Sequence, residues 1–282
     1  MINGLNKFMK IGCVYFHQGW TDIIMCMALI NFYKESYDVL YIIIRSDAKT
    51  LLDFYIRNLD NVYSVPINTD NGRFHGAICT NYEGDNVIYE NNIIKIPSNF
   101  DILFHYEHDS YRKDKYKSLF WKSYNLIKTS TSFAEEFYSY YDIDYINRVK
   151  KFKILRDNDL EDKTYQKFIK ENGYNYVLYH DDDTNHLHGI HHVSTKIKFD
   201  KIISDHTYVN LNKKSYMFFD YLKIIENAKE LHLVDSVWAS IIYHLDASIN
   251  FLNKKPVNLY CFRNHENLFL YPVKLDNWII KK

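Results

Sequence analysis

The sequence predicts an α/β protein made of two doubly wound halves, and three observations carry that expectation. Short apolar runs rich in strand formers alternate with segments of helical periodicity from residue 10 onward. The alternation restarts shortly after residue 145. The length of 282 residues exceeds the usual ~100 to 200 per domain, which suits two modest domains meeting near that point.

The first half opens with Lys10–Phe16 (KIGCVYF), a strand by its density of apolar strand formers. After the turn His17-Gln18-Gly19-Trp20-Thr21, apolar residues recur at helical spacing over Asp22–Lys34. A second strand is read at Asp38–Ile44, a second helix at Ala48–Leu59 and a third strand at Val62–Pro66. Strand, helix, strand, helix, strand is the doubly wound order. Asp101–His105 adds a strand, and Ser118–Tyr140 reads as a long aromatic-rich helical region.

The second half is read as a strand at Phe152–Leu155 and a helix at Asp159–Glu171, closed by Asn172-Gly173. A strong strand follows at Tyr174–Tyr179, with short strands at Lys201–Ile203 and Thr207–Asn210. Tyr216–Ala228 is an amphipathic helix, Leu231–Val234 a strand, Ser236–Leu245 a helix and Val257–Cys261 the last strand. No repeat, low-complexity tract or Gly/Ser linker separates the halves.

Composition excludes several classes. With 47% hydrophobic and 25% charged residues, the chain is neither disordered nor collagen-like nor a disulfide scaffold. Lys plus Arg (35) balance Asp plus Glu (35), so the expected partners include no nucleic acid and no charged membrane surface. The cysteines Cys13, Cys26, Cys79 and Cys261 lack CxxC spacing, which gives neither a zinc ribbon nor a redox pair. Met1–Lys10 has no apolar signal core and no run reaches the ~20 apolar residues of a membrane span, so a cytoplasmic protein without an integral membrane segment is expected. The 26 Tyr and 18 Phe, beside 8 Gly and 4 Pro, reflect an AT-rich codon bias more than an aromatic site.

In open α/β sheets, ligands bind past the carboxyl ends of the strands, so the informative residues follow the apolar runs. The first such place holds His17, Gly19 and Asp22. Gly19 permits a tight turn and close ligand approach, and Asp22 is read either as a general base or as a helix cap. The second is His180-Asp181-Asp182-Asp183. Adjacent carboxylates need water, a cation or ligand hydroxyls. His186, His188, His191 and His192 lie nearby, but their spacing matches no common helical metal-ligand pair. One Asp accepting ribose or sugar hydroxyls is the better functional reading, and no metal is expected. The third is Asp235-Ser236-Val237 at the start of a helix, read either as a phosphate site at the helix N-terminus or as a simple Ser236 cap.

The stretches HQGWTDIIMCMALI, NYVLYHDDDTN, FDYLKIIENAKELHLVDSVWASIIYHLD and LDNWIIKK, with FKILRDNDLED at the restart, span most of the chain. Together, in this order, they resemble nucleotide-sugar glycosyltransferases of the heptosyltransferase-like and fucosyltransferase-like kind. The resemblance implies the GT-B fold: two Rossmann-like domains facing across a cleft, residues 1–145 for the acceptor and 146–282 for the nucleotide-sugar donor. Asp22 matches that family's acceptor-activating carboxylate, with His17 as the alternative base, since imidazole titrates near neutrality. Gly19, His180, Asp182, Asp235, Ser236 and Val237 are then donor-binding, and Arg156 supplies a cation to the leaving diphosphate. No obligatory cofactor is implied, and a single carboxylate with no second nucleophile beside it points to inversion. Thr21 stands where the family's loop carries its second glycine. That departure motivates the alternative, a non-catalytic nucleotide- or glycan-binding module on the same fold. A Rossmann NAD enzyme or a serine hydrolase lacks its motif here, GxGxxG or GxSxG.

Overall fold

The structure is a computed structural model and describes residues 9–16, 20–67, 79–83, 86–89, 92–95, 100–105, 135, 138–139, 142–181, 206–211, 218–234, 236–260 and 273–281. The chain divides into two compact units, Met1–Lys151 and Phe152–Lys282, so Ile146–Lys151 travel with the first. Asn31 of the first unit binds the Lys151 carbonyl at 2.8 Å, and Lys151 pairs with Glu35.

The first unit is centred on β1 (Ile11–Phe16). Ile11, Cys13, Val14 and Phe16 are all buried, as expected of a strand covered on both faces. The helical pattern after it forms α1 (Trp20–Cys26) and α2 (Ala28–Lys34) instead of one helix. Met27 keeps helical dihedrals, but the Met27 N–H reaches the Ile24 carbonyl and the Ile30 N–H the Met27 carbonyl, a local three-residue tightening that interrupts the ladder. Ile23–Ile30 are buried throughout, and each large apolar side chain contributes ~1.5–3 kcal/mol. Next come β2 (Val39–Arg45), α3 (Lys49–Ile56) and β3 (Val62–Ile67).

Three strands not anticipated from the sequence follow: β4 (Cys79–Glu83), β5 (Asn86–Tyr89) and β6 (Asn92–Lys95), an antiparallel three-stranded sheet. They are only four or five residues long, and β4 and β5 pair antiparallel from Glu83 and Asn86 onward. Then β7 (Phe100–His105) joins β1, giving the parallel order β3-β2-β1-β7, with a bulge where Cys13 meets Val14. Of the expected long helix at Ser118–Tyr140, only Glu135, Tyr138 and Ser139 are among the described residues, and they are helical. A short α4 (Asn147–Lys150) closes the unit.

The second unit begins without the expected strand at Phe152–Leu155. Phe152 is buried against the His244 ring at 4.6 Å while Leu155 is 60% exposed, so the in-out alternation reflects one anchored side chain, with no strand paired to it among the described residues. Helix α5 (Asn158–Asn172) starts where the Asp157 side chain accepts from the Leu160 N–H, and it ends at Gly173, whose φ of 76° suits glycine. β8 (Tyr176–His180), β9 (Thr207–Asn210), α6 (Leu222–Asn227), β10 (Leu231–Val234), α7 (Val237–Ile249), β11 (Val257–Tyr260) and β12 (Trp278–Lys281) complete it. Within the expected Tyr216–Ala228 helix, the described residues form a 3-10 turn at Phe218–Tyr221 and then α6. The strands form an all-parallel sheet in the order β12-β11-β10-β8-β9. Both units are thus α/β with parallel sheets, and among the described residues no helix is long and apolar enough to cross a membrane.

Candidate functional site

The order of the second sheet fixes where a ligand has room. From β8 the chain moves to β9 on one side, and from there to β10 on the other. The strand order therefore reverses between β8 and β10, the arrangement at which open parallel sheets form a binding crevice past the carboxyl ends of their strands.

β8 ends at His180, which lies level with Leu233 of β10 and is 8% exposed. The next residue, Asp181, accepts a 2.6 Å hydrogen bond from the Asn210 side chain at the end of β9. Asn210 was not singled out from the sequence. Its one local signal is its place as the last residue of a strand, because the partner lies 29 residues away.

On the other side, β10 ends at Val234 and α7 starts at Val237. Ser236 occupies the N-cap position in extended conformation, yet its side chain makes no cap hydrogen bond. Its Oγ is buried without a hydrogen-bond partner among the described residues. The simple capping reading of Ser236 is therefore not what the structure shows. Helix geometry leaves the N–H groups of Val237, Trp238 and Ala239 without intrahelical acceptors, while the Ser240 N–H already reaches the Ser236 carbonyl. Trp238, buried edge-on against Phe218 at 4.7 Å and Tyr221 at 6.0 Å, holds this end of the helix in place. A buried unpaired hydroxyl beside outward-pointing N–H groups at the positive end of a 13-residue helix favours an anion.

Arg156 does not join this group. Its Nε and Nη2 bind Glu161, at 3.0 Å from Nε to Oε1 and 2.5 Å from Nη2 to Oε2, and Nη1 and Nη2 bind Glu226 at 3.1 and 2.9 Å. Glu161 is 1% exposed, and the paired carboxylates push the Arg156 guanidinium further above its ordinary value. Glu226 lies in the last turn of α6, and its backbone carbonyl accepts from Lys255, two residues before β11. Arg156 thus sits at the amino end of the sheet, opposite the crevice. Nothing local in the sequence marks that.

In the first unit, β1 is the strand from which the order runs to β2 and β3 on one side and to β7 on the other, so the chain after Phe16 leaves at a comparable reversal. α1 begins at Trp20, which makes Asp22 its third residue and not its N-cap. His17, Gly19, Asp182 and Asp235 lie outside the described residues, as do His186, His188, His191 and His192. Among the described residues no group of three His, Cys, Asp or Glu side chains is placed to hold a metal ion.

No protein-family model matches the chain, and no curated protein matches it. A solved structure of a glycosyl transferase family 9 protein from Veillonella parvula DSM 2008 is similar over 96% of this chain and 86% of its own, with 8% identity and a TM-score of 0.46. That degree of likeness assigns no activity and no residue a role.

Proposed function

We propose that the protein is a GT-B glycosyltransferase that moves a sugar from a nucleotide-sugar donor to a hydroxyl acceptor, with inversion and without an obligatory metal. The observation that carries this reading is the adjacency of β8 and β10: it sets His180-Asp181 and the Ser236-α7 start side by side at the strand reversal of the second sheet. The diphosphate would rest on the Ser236 hydroxyl and the Val237 N–H, where the helix dipole meets the charge that develops as the bond to the sugar breaks. His180, Asp182 and Asp235 would contact the nucleotide or sugar.

The second unit is therefore the donor domain and the first the acceptor domain. Asp22 would take the acceptor proton as its oxygen attacks the anomeric carbon, with Gly19 allowing close approach and His17 as the alternative base. Because Arg156 is committed to Glu161 and Glu226, the leaving-group charge falls to the helix start.

Thr21, in place of a second glycine, supports the alternative of a non-catalytic nucleotide- or glycan-binding module. Thermal shift against UDP, GDP, ADP, CMP and dTDP and their sugars tests both readings. Ligand at ~100 times its dissociation constant stabilises by ~2.7 kcal/mol, a rise of several degrees at this size. No shift with any nucleotide rejects the transferase and the nucleotide-binding module; a shift without sugar transfer leaves the binding module. Turnover lost in Asp22→Asn and retained in His17→Gln assigns the base, and the reverse result assigns His17.

A further inference from the structure

Helix α7 carries a polar column along one side. Ser236, Ser240, His244 and Ser248 recur every four residues, so they stand one above another along the helix. The lower members bond to the backbone one turn back: the His244 Nδ1–H donates to the Ser240 carbonyl, and the Ser248 hydroxyl donates to the His244 carbonyl at 2.6 Å. The upper two do not. Ser236 Oγ and Ser240 Oγ are both buried without a hydrogen-bond partner among the described residues.

The contrast with Ser248 is specific. Ser240 has the same backward bond within its reach, yet its N–H meets the Ser236 carbonyl, at 3.0 Å, and its hydroxyl does not. Ser240 is 1% exposed and α7 is buried from Trp238 to Asp246, so bulk solvent does not serve this hydroxyl. A hydroxyl in that position costs free energy unless a group inside the protein pairs with it. The Ala239 N–H, which a capping serine ordinarily bonds, is buried beside it and has no intrahelical acceptor.

Residues four apart on a helix have Cβ atoms about 5–6 Å apart, a span that one water crosses with two hydrogen bonds of about 2.8 Å. Such a water accepts from the Ser240 O–H and the Ala239 N–H and donates to Ser236 Oγ, which gives it the partners that a buried water ordinarily has. With its oxygen accepting from the water, Ser236 is left to donate its own proton outward at the start of α7. We propose that Ser236 and Ser240 share one buried water, and that Ser240 is a positioning residue which, through this water, turns the Ser236 O–H toward a bound anion. The water stands on the two hydroxyls alone, whereas the positioning role rests on the diphosphate site proposed above.

A high-resolution crystal structure of the unliganded wild-type protein tests the water. The expected result is one ordered water within about 3 Å of both hydroxyl oxygens. No water touching both, or a protein group bonded to either hydroxyl, overturns the proposal. Calorimetric titration of inorganic pyrophosphate into wild-type, Ser236→Ala, Ser240→Ala and doubly substituted protein tests the positioning role, with thermal melts showing that each is folded. Ser240→Ala weakens binding about threefold when Ser236 is present and leaves it unchanged when Ser236 is replaced by alanine. Equal weakening in both backgrounds, the behaviour of a residue that only shapes the helix, overturns the positioning role, as does no weakening in either. Wild-type protein that holds the water but binds no pyrophosphate rejects the diphosphate site and the positioning role together, and leaves the shared water standing.

Discussion

The two ends of the second sheet use similar polar residues for different work. At the amino end every charged group named is tied into the scaffold. Arg156 clamps Glu161 and Glu226. Asp246, in the last turn of α7, accepts from the Leu252 N–H, the Asn277 side chain and the Trp278 ring N–H, each at 2.9 Å. Lys255 caps α6 by donating to the Ile225 and Glu226 carbonyls. At the carboxyl end, Ser236 carries a buried hydroxyl with no partner among the described residues, at the start of a helix whose first N–H groups point outward. The amino end has spent its hydrogen bonds on holding strands and helices together, whereas at the carboxyl end the Ser236 hydroxyl is left without a partner among the described residues. Residue type alone does not separate structural charge from functional charge; the edge of the sheet does.

The largest expected effect lies at the amino end. Arg156→Ala leaves Glu161 buried without its main counter-charge and costs about 3 kcal/mol in denaturant unfolding. Nucleotide affinity stays at the wild-type value; a loss of affinity with little loss of stability would reverse the assignment of the two ends. Asp246→Ala strands three N–H donors and costs about 2 kcal/mol by the same measurement.

A smaller effect concerns Lys255, whose ammonium is pulled by burial from 10.5 to about 8. Between those values the unfolded chain binds the proton that the folded chain has released, so stability rises as pH rises through that window. Thermal melts at about pH 8 and about pH 10 should show this gain in the wild-type protein relative to Lys255→Met. Equal slopes in the two proteins would remove Lys255 as its source.

The smallest stability effect belongs to the carboxyl end. An N-cap serine replaced by alanine usually costs about 1 kcal/mol. Because Ser236 makes no cap hydrogen bond, Ser236→Ala should cost under about 0.5 kcal/mol by chemical denaturation. A full capping loss would show that the hydroxyl serves the helix.

Much of this fold was legible in the sequence because its central strands are buried apolar runs and helix α5 carries its own start and stop signals. Thr207–Asn210 and Leu231–Val234 match their expected bounds, and Asp157 and Gly173 close the two ends of α5. Local signals also marked the carboxyl edge of the second sheet, where His180 ends β8 and Ser236 follows β10. What stayed hidden depends on distant partners. Arg156 reads the same in sequence whether it faces a diphosphate or a glutamate 70 residues on. Asn210 gained interest only through Asp181. The short antiparallel strands β4 to β6 were not anticipated from the sequence.

The central claim is that the carboxyl end of the second sheet, and not its amino end, holds the nucleotide. Isothermal titration of the nucleoside diphosphate giving the largest thermal shift, into wild-type, Ser236→Ala and Arg156→Ala proteins, tests it most directly. The predicted result is about a tenfold weaker dissociation constant for Ser236→Ala, the loss of ~1.4 kcal/mol, with Arg156→Ala unchanged wherever it is folded. Unchanged affinity in folded Ser236→Ala together with weakened binding in Arg156→Ala would contradict the account.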